Sequence, residues 1–309
     1  MAYKILTTTS SFGKVDPAPL ALLKAAGFEV TVNPFGRKLS VEESKEILKG
    51  YDGLIAGTGS LNAEVLNLAG ELKYLCRLGA GMDNVDFDAA KALNITVENT
   101  PSAHVDGVAE LTLGGILSCL RSISNAHTNI TNGIWEKPMG SLLKGKTIGI
   151  IGLGRVGCRL VELLAPFKVK VLAFDFYQNT EFAERNNVSF VAMDELIRSS
   201  DIISIHTPFS PEAKHMVSAE FFTKAKNNLC LVNASRGGLV DEDALIEFLN
   251  SNPNASAYLD TFEEEPYTGP LSKVKNCTLT PHIGSYASEV RINMEMEAAQ
   301  NVINFFNKK

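Results

Sequence analysis

The sequence predicts an α/β protein of two domains, each built on an open parallel sheet. Three observations carry that prediction. The 309 residues are about twice the ~150 residues of a typical domain. Short β-branched runs alternate with amphipathic stretches from the N-terminus onward, which is the βα pattern of parallel sheets. The alternation breaks once, after Pro101, for a long apolar-rich stretch, and resumes at Lys146.

In chain order, strands are expected at Tyr3–Leu6, Phe28–Val32, Gly53–Ala56, Lys73–Leu78 and Ile95–Val97. Between them, helical spacing marks Leu20–Ala26, Val41–Leu48, Ala63–Leu68 and Phe87–Leu93. The apolar stretch Val108–Leu120, continuing to about Ile130, reads as a connector helix, with Pro101 shortly before it. A second series of strands follows at Lys146–Ile151, Val169–Phe174, Ile202–Ile205, Leu229–Val232, Ala257–Leu259 and Thr278–Thr280. The closing segment Ala287–Phe306 has helical spacing and apolar residues suited to packing back on the first domain.

Composition narrows the function. Apolar residues make up 45% and charged residues 21%, with 29 basic against 35 acidic side chains, which excludes disorder and collagen-like structure. A net charge of -6 gives no footprint for nucleic acid or an anionic membrane, both of which need clustered Lys and Arg. Small molecules are the expected partners. Cys76, Cys119, Cys158, Cys230 and Cys277 are scattered, odd in number and without a Cys-x-x-Cys pair, so neither a disulfide framework nor a metal site is expected. The start lacks the basic and apolar regions of a signal peptide, and no run approaches the roughly 18 apolar residues of a membrane span. A cytoplasmic protein is expected.

Gly152-Leu-Gly154-Arg-Val-Gly157 fits G-x-G-x-x-G between a β-branched strand and an apolar-periodic helix, Val156–Leu164. In that context the first glycine permits the tight turn, the second admits a pyrophosphate to the backbone N–H groups, and the third lets helix and strand pack. The helix N-terminus then presents its positive dipole end to the phosphates. Asp175, ending the next strand, can accept hydrogen bonds from ribose hydroxyls and would repel a 2′-phosphate, so NAD is favoured over NADP. A methyltransferase also sets a glycine loop and an acid after successive strands, but near the start of its domain.

Ligands of open α/β sheets bind outside the carboxyl ends of strands, and here those ends are polar: His206-Thr-Pro208, Asn233-Ala-Ser-Arg-Gly-Gly238, Asp260 with Glu265 and Pro266 downstream, and Pro281-His-Ile-Gly-Ser285. Taken singly, Arg236 suits a loop salt bridge, His282 a structural hydrogen bond and Glu265 a solvated acid run. Together, an arginine anchor, an imidazole and an acid to hold it protonated are what carbonyl reduction beside NADH requires. Hydride arrival creates oxyanion charge that a histidinium both stabilises and protonates.

These residues resemble the D-isomer-specific 2-hydroxyacid dehydrogenase family, which contains phosphoglycerate, glycerate and D-lactate dehydrogenases. The resemblance spans essentially the whole chain. It rests on Arg77-Leu-Gly-Ala-Gly-Met-Asp-Asn-Val-Asp86, Val108-Ala-Glu110, the Gly145–Gly154 run, Asn233–Gly238, Asp260-Thr-Phe-Glu-Glu-Glu-Pro266 and Pro281–Ser285. It implies two doubly wound parallel-sheet domains: a flavodoxin-like substrate domain, residues 1–99 with 286–309, and a Rossmann NAD-binding domain, residues 100–285. It also implies a homodimer paired through the Rossmann domain. By motif position Arg236 binds the substrate, Glu265 keeps His282 charged, and His282 binds the substrate and donates the proton. Asp260 holds the nicotinamide amide, Arg155, Val156, Asp175, Thr207, Pro208, Ala234 and Ser285 line the cofactor beside Gly152, Gly154 and Gly157, and Ala80 and Gly81 offer N–H groups to the substrate carboxylate.

Two departures bear on the substrate. Phosphoglycerate members carry a phosphate-binding arginine in the loop after the third strand, where this chain has Ala56-Gly-Thr-Gly-Ser60. Thr58, Ser60 or lysines of the substrate domain are left as replacement anchors. His104 stands where those members place an asparagine, and either contacts substrate or caps the connector helix. The chain ends at Lys309, so the regulatory domains of longer phosphoglycerate dehydrogenases are not expected. The expected activity is phosphoglycerate dehydrogenase-like interconversion of a D-2-hydroxy acid and its 2-keto acid. The alternatives are a general hydroxypyruvate or glyoxylate reductase and a non-enzymatic NAD(H)-sensing protein on the same fold. Formate oxidation fits less well, since members doing it carry His-Ile-Ser-Gly where this chain has His282-Ile-Gly-Ser285.

Overall fold

Apolar runs buried on both faces belong in parallel sheets, and the computed structural model, which describes residues 2–308, places them there. The chain divides into two compact units, Met1–His104 with Ser285–Lys309, and Val105–Gly284.

The first unit comprises β1 (Lys4–Thr7), α1 (Ala18–Ala25), β2 (Glu29–Val32), α2 (Val41–Ile47), β3 (Gly53–Ala56), α3 (Ala63–Asn67), β4 (Tyr74–Arg77), α4 (Phe87–Ala92), β5 (Thr96–Asn99) and the C-terminal α12 (Ser288–Asn307). All five strands are parallel, in the order β2-β1-β3-β4-β5, the doubly wound flavodoxin-like arrangement. Short polar side chains start the helices: Ser40 and Glu43 form a capping box on α2, while Asn62 and Asp86 cap α3 and α4. On α12 the buried Val290, Met294, Ala298, Val302 and Phe306 recur at helical spacing and join the core that holds Ile5, Ile55 and Tyr74. Each large apolar side chain so buried contributes roughly 1.5–3 kcal/mol. The same helix carries a buried Arg291–Glu295 pair, 2.9 Å apart. Arg291 donates to Ser11 Oγ and Glu295 accepts from the Gly13 N–H, so α12 also fixes the loop after β1.

The second unit comprises α5 (Val105–Arg121), α6 (Ile123–Thr131), β6 (Thr147–Ile151), α7 (Arg155–Leu164), β7 (Lys170–Phe174), α8 (Thr180–Asn186), β8 (Val188–Phe190), α9 (Met193–Ser199), β9 (Ile202–Ile205), α10 (Ala219–Lys224), β10 (Cys230–Asn233), α11 (Glu242–Ser251), β11 (Ser256–Leu259) and β12 (Cys277–Leu279). Its seven parallel strands run β12-β11-β10-β9-β6-β7-β8, so the order reverses beside β6, where doubly wound folds bind dinucleotides. β9 and β10 are buried at every position.

Two elements depart from the sequence expectation. The apolar stretch after Pro101 is two helices, because Ser122 takes a left-handed conformation, φ +50°, that ends α5. β8 was not anticipated; at three residues it is too short to show a period of two.

Candidate active site

The loop from β6 to α7 is shaped by close contact. Gly152 has φ +94°, and a Cβ there would lie 2.8 Å from the His206 carbonyl and the Thr207 nitrogen, so only glycine fits where the β9 exit abuts this turn. Gly157, in the first turn of α7, packs on the Gly152 carbonyl. Gly154 is the extended N-cap of α7 and faces open space; Arg155 and Val156 follow it at the helix start. The N–H groups of that first turn, which have no partner within the helix, suit a pyrophosphate. Asp175, directly after β7, accepts from Leu153 N at 2.7 Å and Tyr177 N at 3.0 Å, which binds the acid to the glycine loop. Its remaining lone pairs suit ribose hydroxyls. These residues fit a bound dinucleotide.

Thr207 and Pro208 follow β9, after His206, whose Nε2 lies 2.8 Å from Ser204 Oγ. Burial drops the His206 imidazole to about 4, so it is neutral at physiological pH.

The remaining strand ends bring the polar residues onto neighbouring loops. After β10, the buried Asn233 folds the turn: its amide donates to Arg236 O at 2.8 Å and its carbonyl accepts from the Ser235 N–H and hydroxyl. Ala234 is buried in that turn, and Arg236 Nη1 donates to Ser235 O at 2.7 Å. The next residue, Gly237, sits so close to the loop after β11 that a Cβ would fall 1.7 Å from Phe262 O. No side chain fits, and the Arg236 loop is thereby seated on the loop that carries Glu265.

Glu265 accepts from Phe262 N at 3.2 Å and meets His282 Nδ1 at 2.9 and 3.1 Å. With Nδ1 engaged by a carboxylate, Nε2 is the ring nitrogen left to exchange a proton. His282 has φ +54°, a conformation that a non-glycine residue holds only when its surroundings impose it. Asp260 braces the turn on either side of it. The carboxylate is fully buried and accepts from Thr280 Oγ1 at 2.6 Å, Ile283 N at 2.8 Å and Gly284 N at 2.8 Å. Tyr258 OH lies 2.7 Å from Thr280 Oγ1; since Thr280 donates to Asp260, Tyr258 donates to Thr280. Burial pushes the Asp260 carboxyl above its usual value, against the opposing pull of Thr280, Ile283, Gly284 and His282.

The resemblance gives Asp260 to the nicotinamide amide; in the structure its carboxylate also accepts three hydrogen bonds from the turn that carries His282. Tyr258, in β11, and Thr280, directly after β12, escaped sequence reasoning because a hydroxyl at either position reads as ordinary core or edge. Ala80, Gly81, His104 and Ser285 fall in the first unit. Ala80 lies beyond β4, its carbonyl held by Asn99 Nδ2 at 2.8 Å. No group of three or more metal-ligating side chains occurs among the described residues.

The glycine loop at the reversal of strand order, with an acid directly after the next strand, defines a protein with a dinucleotide-binding unit. The family is shown by comparison: residues 113–284 match the D-isomer specific 2-hydroxyacid dehydrogenase, NAD binding domain, and the chain belongs to the D-isomer specific 2-hydroxyacid dehydrogenase family. It is 36% identical over 287 residues to a D-3-phosphoglycerate dehydrogenase of Archaeoglobus fulgidus, covering 91% of this chain and 54% of that one. It is 38% identical over 274 residues to a glyoxylate reductase of Thermofilum pendens, covering 85% of this chain and 81% of that one. Among solved structures, the apo-structure of D-lactate dehydrogenase from Escherichia coli superposes with a TM-score of 0.86 at 28% identity, covering 99% of this chain and 98% of that one. The chain thus spans about half the length of the phosphoglycerate dehydrogenases it matches.

Proposed function

We propose that the protein is an NAD-dependent oxidoreductase that interconverts a D-2-hydroxy acid and its 2-keto acid, in the manner of phosphoglycerate dehydrogenases. The observation that carries this is the Glu265–His282 pair, set on loops that adjoin the Arg236 turn in a unit built to hold NAD. The bound nicotinamide supplies or accepts the hydride. Arg236 takes the substrate carboxylate with parallel hydrogen bonds from its guanidinium. His282 gives a proton from Nε2 to the carbonyl oxygen as negative charge develops there. Glu265, at Nδ1, orients the ring so that Nε2 is the nitrogen left for the substrate. In the reverse direction the same nitrogen removes the hydroxyl proton.

A second reading is favoured by one observation. The loop after β3, Ala56–Ser60, holds no cationic side chain, and Asn84 Nδ2 ties it down by donating to Gly57 O and Gly59 O. A phosphate dianion would find no charge partner on that loop, which favours an unphosphorylated acid such as hydroxypyruvate or glyoxylate.

A homodimer completes the proposal. Its support is the segment between α6 and β6, which exposes four large apolar side chains, Ile134, Trp135 (82%), Met139 (97%) and Leu142; exposed apolar surface of this kind marks interaction sites. The free cysteines suit a reducing, cytoplasmic compartment.

The test is NADH oxidation with hydroxypyruvate and phosphohydroxypyruvate side by side, reported as kcat/KM. Preference for the phosphorylated compound supports the phosphoglycerate dehydrogenase-like reading, and preference for the other supports the general reductase. His282→Ala should lower kcat by about 10²–10⁴-fold while NADH still binds. Silence of the parent enzyme with both acids, despite NADH binding, would replace the catalytic reading by an NAD(H) sensor.

A further inference from the structure

We propose that His215 is a positioning residue for the Glu265–His282 pair: it occupies the neighbouring Glu263 carboxylate and pins the segment from which Glu265 reaches His282. The proposal rests on the reading of His282 as proton donor.

His215 lies outside every strand and helix and has φ +54°, so its surroundings must hold it. Its N–H donates to Gly238 O at 2.8 Å. Two residues on, Val217 pairs with Val240 as an isolated parallel bridge, with Val217 N donating to Leu239 O and Asp241 N to Val217 O, both at 3.0 Å. The backbone around His215 is thus stitched to the segment directly after Arg236 and Gly237.

Its ring turns toward the other catalytic loop. Nε2 lies 2.9 Å from Glu263 Oε1, and Nδ1 lies 3.9 Å from Asp241 Oδ2. Glu263 is held a second time, its N–H donating to Glu242 Oε1 at 2.9 Å from the first turn of α11. The adjacent Phe262 N–H is the one that donates to Glu265. His215 therefore joins two loops, one carrying Arg236 and the other carrying Glu265, at a residue of neither motif.

The need for such a bracket follows from Glu263-Glu264-Glu265. Three successive carboxylates repel one another, and Glu263 without a partner would compete for the imidazole of His282. A donor of its own keeps Glu263 turned away, so that Glu265 alone meets Nδ1. Burial and the charge of Glu263 together push the Glu242 carboxyl up, which shows how crowded with acid this corner is and why a nitrogen donor is placed in it.

The experiment compares His215→Ala and His215→Gln with the parent enzyme. Steady-state kinetics of 2-keto acid reduction, NADH affinity by fluorescence, and hydrogen exchange across residues 261–266 are measured on each. The Ala variant should lose about 10–100-fold in kcat, since small misplacements of a reacting group cost that much. Its NADH affinity should be unchanged, because the glycine loop makes no bond to His215, and its 262 and 263 amides should exchange faster. The Gln variant, whose amide still donates to Glu263, should recover most of the kcat and the protection. Unchanged exchange in the Ala variant, or equal kcat loss in both variants, overturns the proposal. A parent enzyme that turns over no 2-keto acid overturns the reaction instead, and the exchange data then decide the bracket alone.

Discussion

Replacing Asp260 by Asn separates two roles that sequence cannot distinguish. The fully buried carboxylate accepts three hydrogen bonds, from Thr280 Oγ1, Ile283 N and Gly284 N. An amide keeps one oxygen and sets an NH₂ where the other stood, so one donor on the 280–284 turn faces another donor. A lost hydrogen bond to a charged group costs about 1.5–3 kcal/mol, and an orphaned buried donor a further 1–3. Neutralising a buried charge returns part of this, because burial already disfavours the ionised form. The net loss is about 2 kcal/mol, and for a unit of the size of Val105–Gly284 that lowers Tm by about 4–8 °C, at 2–4 °C per kcal/mol. Calorimetry with and without NADH reads it. The turnover number should fall with it, since the left-handed His282 loses its support. An unchanged Tm together with weakened NADH binding would refute this reasoning and make Asp260 a cofactor contact first.

Asp175→Ala should bring NADP utilisation toward that of NAD in kcat/KM, because the acid that disfavours a 2′-phosphate is gone; an unchanged ratio would remove Asp175 from the ribose site. Trp135→Ser should shift the chain toward monomer in sedimentation, and an unchanged oligomeric state would clear that surface of an interface role. His206 gives a stability signature with a definite sign. Burial depresses its folded imidazole from the usual 6.5 to about 4, so the unfolded chain takes up the proton first. Stability is then full above about 6.5 and drops as pH falls toward 4, and His206→Gln should flatten the urea midpoint across that window.

What the sequence made legible follows from which signals are local. Ile202–Ile205 and Gly53–Ala56 were readable to the residue, because a strand buried on both faces is a short, mostly apolar run between polar ends. The candidate site residues were readable for a related reason: in a parallel sheet each carboxyl end is a place where apolar sequence turns abruptly polar, as at Asn233, Asp260 and His282. Ser122 was hidden because a single left-handed residue leaves no trace in helical periodicity, and β8 because three residues carry no period.

The contacts that hold the candidate site together were illegible for a deeper reason. Gly237 on Phe262, Thr280 on Asp260 and His215 on Glu263 link positions 20 to 48 residues apart, and no spacing rule connects them. They follow from strand order. Because β10, β11 and β12 lie side by side, the loops leaving them crowd together, and each must satisfy its backbone on the next. The donors and acceptors so used, from Tyr258 through Thr280 to Asp260, or from His215 through Glu263 to Glu242, are therefore packing solutions in a sheet whose order is set by its crossovers. The resemblance supplied the names Arg236, Glu265 and His282. Only the neighbouring strands explain why an acid two residues from Glu265 needs a histidine of its own.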